Sequence, residues 1–105
     1  MEKHTIYKKD AAVFTFILKS NGAYVSLTDK TVYFTGRTTL GASASLWDNE
    51  CTPTIASEGT CRGTLSSADS GSIAKNIVCD VTLYDSGERT VYGRFLLDIL
   101  EVARK

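Results

Sequence analysis

The sequence predicts an all-β domain built as a two-sheet antiparallel sandwich. Three observations carry that prediction. Apolar residues alternate with polar ones over short runs, as in Phe14, Phe16 and Leu18, and a strand sends successive side chains to opposite faces. Turn signals separate these runs at the spacing of roughly 8–12 residues typical of sandwiches and small barrels. No stretch carries the 3.6-residue apolar period of an amphipathic helix.

Thr5-Ile6-Tyr7 is expected to form an edge strand. Ala12 to Lys19 follows, with Phe14, Phe16 and Leu18 inward and Thr15 and Lys19 outward. Ser20-Asn21-Gly22 reads as a hairpin turn, because Asn and Gly tolerate the positive φ of tight turns. A short strand and a second turn lead into Thr31 to Arg37. There Val32 and Phe34 take one face, and Tyr33, Thr35 and Arg37 the other. From Thr38 to Thr60 the pattern weakens. Small residues (Gly41, Ala42, Ser43, Ala44, Ser45) precede Leu46-Trp47, and a polar loop surrounds Pro53. Short strands are expected near Ala44 to Trp47 and Thr54 to Ala56, and another ends at Gly63-Thr64-Leu65. Ser66 to Gly71 reads as a corner, with one helical turn capped by Ser66 or Ser67 as the further option. Ile77 to Tyr84, a hairpin turn at Asp85-Ser86-Gly87, and Arg89 to Leu100 complete the chain.

At 105 residues, with 43% hydrophobic and 10% aromatic content, the chain suits one domain with a real core. Lys+Arg and Asp+Glu number 12 each. That balance lacks the basic surplus phosphate binding requires, and Lys8-Lys9 is too short a run to replace it, so no nucleic-acid partner is expected. The apolar run Phe95-Leu96-Leu97 is broken by Asp98, far short of the roughly 20 residues a spanning helix needs. Met1-Glu2-Lys3-His4 has no signal-peptide apolar core, so a soluble chain made in a cytoplasm and without a membrane partner is expected.

Residues that do chemistry are sparse. The one histidine, His4, is expected to be an exposed tail residue, since a frayed terminus cannot hold a catalytic imidazole. Cys51, Cys61 and Cys79 form no CxxC pair, so zinc is not expected. Cys79 shares a face with Ile77, Val81 and Leu83 and reads as a buried thiol. Cys51 and Cys61 flank a loop. A disulfide between them requires Cα atoms within about 7 Å, and reduced thiols are the cytoplasmic default. Asp69-Ser70-Gly71 and Asp85-Ser86-Gly87 read as turns, lacking the further acidic ligands of a calcium loop. Asp48, Glu50 and Glu58 read as solvated loop carboxylates, and Gly59-Thr60-Cys61-Arg62-Gly63 lacks a phosphate-loop lysine. The chain is therefore expected to be no enzyme, with no cofactor, metal or small-molecule substrate. Binding residues are the alternative. Trp47 with Leu46 is either an interface anchor or a plug for the end of the core. Tyr33, Arg37 and Tyr92 are expected to face outward, where a partner would cover them.

In order, Gly22-x-x-Val25-x-Leu27-Thr28-x-x-Thr31-Val32-x-Phe34 resembles the opening of the immunoglobulin-like domains of tailed-phage structural proteins, such as the N-terminal domain of siphophage baseplate upper proteins. Leu65-Ser66-Ser67-Ala68-Asp69 resembles that family's corner. Cys79-Asp80-Val81-x-Leu83-x-Asp85-x-Gly87 with Val91-x-Gly93-x-Phe95 resembles its closing hairpin. The likeness spans most of residues 11–102 and is thinnest over 38–60, and the cysteines lie outside it. It implies an immunoglobulin-like sandwich of about seven to eight strands over residues 1–105. The implied role is a virion component of the baseplate, tail or head–tail region. Such a component is made in the bacterial host cytoplasm and docks to other virion proteins and to copies of itself. The competing implication is an immunoglobulin-like recognition module for host-surface carbohydrate or protein, with Trp47, Asp48 and Asn49 as its binding group.

Overall fold

The computed structural model of the chain describes residues 2–38, 44–71 and 74–101. Gly41, Ala42 and Ser43 of the small-residue stretch lie outside the described residues. The strands are β1 (Lys3–Tyr7), β2 (Ala12–Ile17), β3 (Lys19–Ser20), β4 (Ala23–Tyr24), β5 (Thr31–Arg37), β6 (Trp47–Glu50), β7 (Thr52–Ile55), β8 (Thr60–Leu65), β9 (Ala74–Asp85) and β10 (Glu88–Leu100). A single 3₁₀ turn over Ala56–Glu58 separates β7 from β8. The fold is all-β. A five-stranded sheet in the order β1-β10-β9-β5-β6 faces a three-stranded sheet in the order β2-β8-β7, and β3-β4 is a small separate hairpin.

The predicted turns form as their residues dictate. Asn21-Gly22 and Ser86-Gly87 each place two successive residues at positive φ (52° and 80°, 52° and 87°), the geometry that matches the twist of the flanking strands. The Ser66–Gly71 corner is closed by Ser66: its Oγ accepts from the Asp69 N–H, and Asp69 Oδ2 accepts from the Ser66 N–H at 3.0 Å. Ser70, fully buried, donates its hydroxyl to the Asp10 carbonyl at 2.7 Å and fastens this corner to the β1–β2 turn.

Three expectations need correcting. The pairing is not antiparallel throughout, because β1 runs parallel to β10 with Thr5 opposite Asp98. The turn after Tyr7 carries the chain into the other sheet and is pinned by Lys8 N–H to Leu100 O, which fixes the direction of β1. The strand expected from Ala44 starts instead at Trp47. Ten strands are described where seven to eight were expected. The surplus comes from the two-residue β3 and β4 and from Cys51, where one extended run changes sheets as β6 and β7.

The core lies between the two facing sheets. Val32 and Phe34 of β5, Ile77, Cys79, Val81 and Leu83 of β9, and Phe95, Leu97 and Ile99 of β10 point inward and are buried. Phe14 and Phe16 of β2 meet them from the other sheet. Each ring lies edge-on to Phe34 with centroids 5.4 Å apart, the arrangement favoured by the ring quadrupoles. Phe34 also contacts Phe95 at 5.9 Å and Trp47 at 5.7 Å. Trp47 packs flat over Gly36, where a Cβ would overlap the indole.

Cys51, Cys61 and Cys79 are free, buried thiols. The neighbouring Cys61 thiol, together with burial, pushes the Cys51 thiol pKa up. Burial pushes Cys79 up to about 12.

Two core substitutions test this packing by urea unfolding. Phe34→Ala is expected to cost about 3–5 kcal/mol, as for other buried aromatics. Gly36→Ala is expected to cost about 1–3 kcal/mol by overpacking against a rigid ring. A Gly36→Ala protein as stable as the parent would contradict the placement of Trp47.

Candidate functional site

Because side chains alternate, a strand that buries Val32, Phe34 and Gly36 must send Tyr33, Thr35 and Arg37 to the opposite face. The register extends this rule across the five-stranded sheet. Asp48 of β6 stands opposite Thr35 of β5, Thr35 opposite Asp80 of β9, and Asp80 opposite Arg94 of β10. One outward row, Asp48–Thr35–Asp80–Arg94, thus crosses four strands. The adjacent row is Glu50–Tyr33–Thr82–Val91.

The first row is held by charge-assisted hydrogen bonds. Thr35 Oγ1 donates to Asp48 Oδ1 at 2.7 Å. Arg94 Nε donates to Asp80 Oδ1 at 2.6 Å, and Arg37 Nη1 lies 3.9 Å from Asp80 Oδ2. Each carboxylate oxygen of Asp80 therefore faces a guanidinium, while its side chain is only 12% exposed. The carboxylate in turn raises the pKa of Arg94. Thr35 and Thr82 are buried on this outer face, among larger neighbours. In the next rows Tyr33 meets Tyr84 edge-on at 5.5 Å and 89°, and Lys30 Nζ lies 3.8 Å from Asp85 Oδ2. The outcome is a sheet face with two aromatic rings and two oriented guanidinium groups, each held by a neighbour within the sheet.

The other half of the face centres on Asp98, next to the irregularity between Leu97 and Ile99. Its Oδ1 accepts from the Asn76 N–H at 2.8 Å, and its Oδ2 lies 3.4 Å from Lys3 Nζ. The Asn76 hydrogen bond, reinforced by Lys3, holds the carboxyl below the usual aspartate range.

The expected site residues divide. Tyr33 and Arg37 lie on this outer face. Leu46 is exposed beside it, at the start of β6. Trp47 takes the second of its two readings: at 4% exposure it belongs to the core. Its Nε1 has no hydrogen-bond partner among the described residues. Tyr92 does not face outward. It sits at the bulge between Val91 and Gly93, where one extra residue upsets the alternation, and packs against the core. Nor is His4 a tail residue. It lies within β1, edge-on to Phe95 at 5.2 Å and Phe14 at 5.9 Å, with Nε2 3.1 Å from Glu2 Oε1.

Asp80, Thr82, Arg94 and Asp98 were not anticipated as site residues. Their signal was present: an aspartate inside each of the apolar runs Ile77 to Leu83 and Phe95 to Leu100 must occupy the face away from the core.

Between β2 and β10 an open cleft of about 300 Å³ is lined by Phe14, Thr15, Phe16, Val81 and Gly93, with Glu2, His4 and Arg94 at its edge. Among the described residues, no three His, Cys, Asp or Glu side chains converge as a metal-ligand set. Comparison with models of known protein families, and with curated proteins, finds no match to this sequence.

The lowered pKa of Asp98 sets a pH dependence. A depressed carboxylate contributes stability above its unfolded pKa of ~3.9 and loses it as the pH falls through the lower folded value. Asp98→Asn is expected to be less stable than the parent near neutral pH. The gap should close between about pH 5 and pH 2. Urea midpoints measured over that range check this, and a gap independent of pH would contradict it.

Proposed function

We propose that the chain is a structural and assembly module of a tailed-phage virion, working in the baseplate, tail or head–tail region. In this reading it acts by protein–protein contact through the outer face of the five-stranded sheet. It docks to other virion proteins and carries out no chemistry. The observation that carries the contact surface is the Asp48–Thr35–Asp80–Arg94 row with Tyr33 and Tyr84 beside it. Tyrosine and arginine dominate interface hot spots. Here Arg94 and Arg37 are oriented by Asp80 before any partner arrives, so less side-chain entropy is lost on docking.

The strand order supports the resemblance to immunoglobulin-like domains. In such sandwiches the second, fifth and fourth strands share one sheet, and the third, sixth and seventh share the other. With β1 as the first strand, β2-β8-β7 and β5-β9-β10 take those places and β6 extends the second sheet, while β1 departs from the pattern by joining that second sheet instead of the first. Equal numbers of acidic and basic residues suit close assembly, where strong like-charge repulsion between copies would oppose packing.

Recognition of a host-surface carbohydrate fares less well. It needs an aromatic platform beside Asp48 and Asn49, and Trp47 is turned into the core. Thr35 already occupies Asp48, and the Asn49 amide donates to the Thr64 carbonyl and to Asp69.

Quantitative mass spectrometry of purified particles tests the role. The expected result is a fixed copy number per virion, a multiple of the particle's rotational symmetry. Absence of the chain from particles would overturn it. Tyr33→Ala with Arg94→Ala should leave the fold intact by circular dichroism and lower incorporation at least about tenfold, the loss of a hot-spot pair.

A further inference from the structure

Four strands form the edges of the two facing sheets, and three carry features that keep a further strand away. β1 presents Lys3, β6 presents Asp48 and Glu50, and β7 contains Pro53. Charge and proline are the usual protection of an exposed edge. β2 has neither. Ala12-Val13-Phe14-Thr15-Phe16-Ile17 is uncharged, free of proline and the longest of the four.

The backbone of β2 is set up to receive a strand. Leu18 N–H bonds to Gly59 O across the ladder with β8. Counting back in twos, Phe16, Phe14 and Ala12 also direct their polar groups toward β8. Val13, Thr15 and Ile17 therefore direct N–H and C=O to the open edge. On the outer face their side chains are uncovered, with Val13 63% and Ile17 55% exposed. Thr15 also lines the cleft facing β10, so the edge is open to solvent there.

We propose that this edge is a self-association site, at which two copies pair antiparallel through β2 about a two-fold axis at Thr15. The three-stranded sheets of the two copies then join into one continuous sheet. The choice of occupant follows from self-complementarity. With Thr15 opposite the second copy's Thr15, each Val13 lies opposite the second copy's Ile17, and both exposed apolar pairs are covered. Each outward N–H meets an outward C=O. The ends attract as well: Lys19 falls opposite the second copy's Ala11, next to its Asp10. Lys8 and Lys9 leave the ladder at the turn where Lys9 takes φ 67°. β2 is only about 20 Å long, so the contact is smaller than a standard interface, and a reversible dimer of roughly micromolar or weaker affinity is expected.

This pairing uses the opposite sheet from the Tyr33–Arg94 face and is tested on the purified chain, so either proposal can fail alone. Sedimentation equilibrium over a concentration series should show a monomer–dimer equilibrium. Val13→Lys with Ile17→Lys, at positions exposed in the monomer, should keep the circular dichroism spectrum and weaken the dimer at least about tenfold. Register is read by cross-linking with diamide. Residues paired across such a ladder stand about 5.5 Å apart at Cα, within disulfide reach. Thr15→Cys should therefore form a covalent dimer by itself. Val13→Cys should form one only when mixed with Ile17→Cys. The native thiols are buried and do not compete. A chain that stays monomeric at every concentration overturns the proposal. So does a dimer indifferent to the lysines, or one cross-linked as readily by Val13→Cys alone.

Discussion

Phe34 fixes the distance at which the two sheets stand. Its ring is fully buried and meets Phe14 and Phe16 from the facing sheet, and Phe95 and Trp47 from its own. Such a hub fits only where neighbouring strands give up volume. Gly36 does so beneath Trp47, and Gly63 does so under Phe16, whose Cε2 would lie 2.6 Å from an added Cβ. Interiors pack too tightly to absorb that overlap. The cluster also joins elements far apart in the chain, since β2, β5, β6 and β10 each contribute a ring, which makes it a long-range tether for both sheets.

The polar face follows from that hub. A one-residue slip of β5 would bring Phe34 out to solvent and carry Tyr33 and Thr35 into the core. A slip of β9 would bury Asp80 among aromatics, at the cost of an unpaired carboxylate. Register is thus enforced from both sides: apolar residues are drawn in, and charged ones are excluded. With the register locked, Asp80 stands between Thr35 and Arg94 with no loop needed to place it. Side chains positioned by paired strands are more rigid than those on loops, which is the property a docking surface needs.

Much of this was legible from local pattern. Period-two alternation assigned Val32 and Phe34 to one face and Tyr33, Thr35 and Arg37 to the other. The turns at Asn21-Gly22 and Ser86-Gly87 were marked by residue type. What escaped depends on partners distant in sequence. Trp47 looks ambiguous beside an exposed Leu46, and only the bare backbone of Gly36 opposite it decides for burial. Tyr92 fails a simple alternation because a bulge inserts one residue before Gly93. His4 looks like a tail until β1 is seen paired to β10. Arg94 has no meaning alone and acquires one only opposite Asp80.

The pairing of β1 decides one more property of the fold. On one flank of the sandwich the chain passes from sheet to sheet at Cys51, whose N–H bonds to Val32 O at 2.7 Å, so β6 and β7 follow each other closely. On the other flank β1 and β2 are also consecutive, and β1 had two possible neighbours. Paired with β2 it would have made a second four-stranded sheet. Paired with β10, as it is, it completes five strands on one side and leaves three on the other. The inward residues favour this choice, since Ile6 and His4 fall opposite Ile99 and Leu97 and extend the buried surface of the larger sheet. The same choice leaves β2, an uncharged strand, at a sheet edge. An edge of that kind is a liability unless something covers it, so its composition carries as much information as that of the polar face.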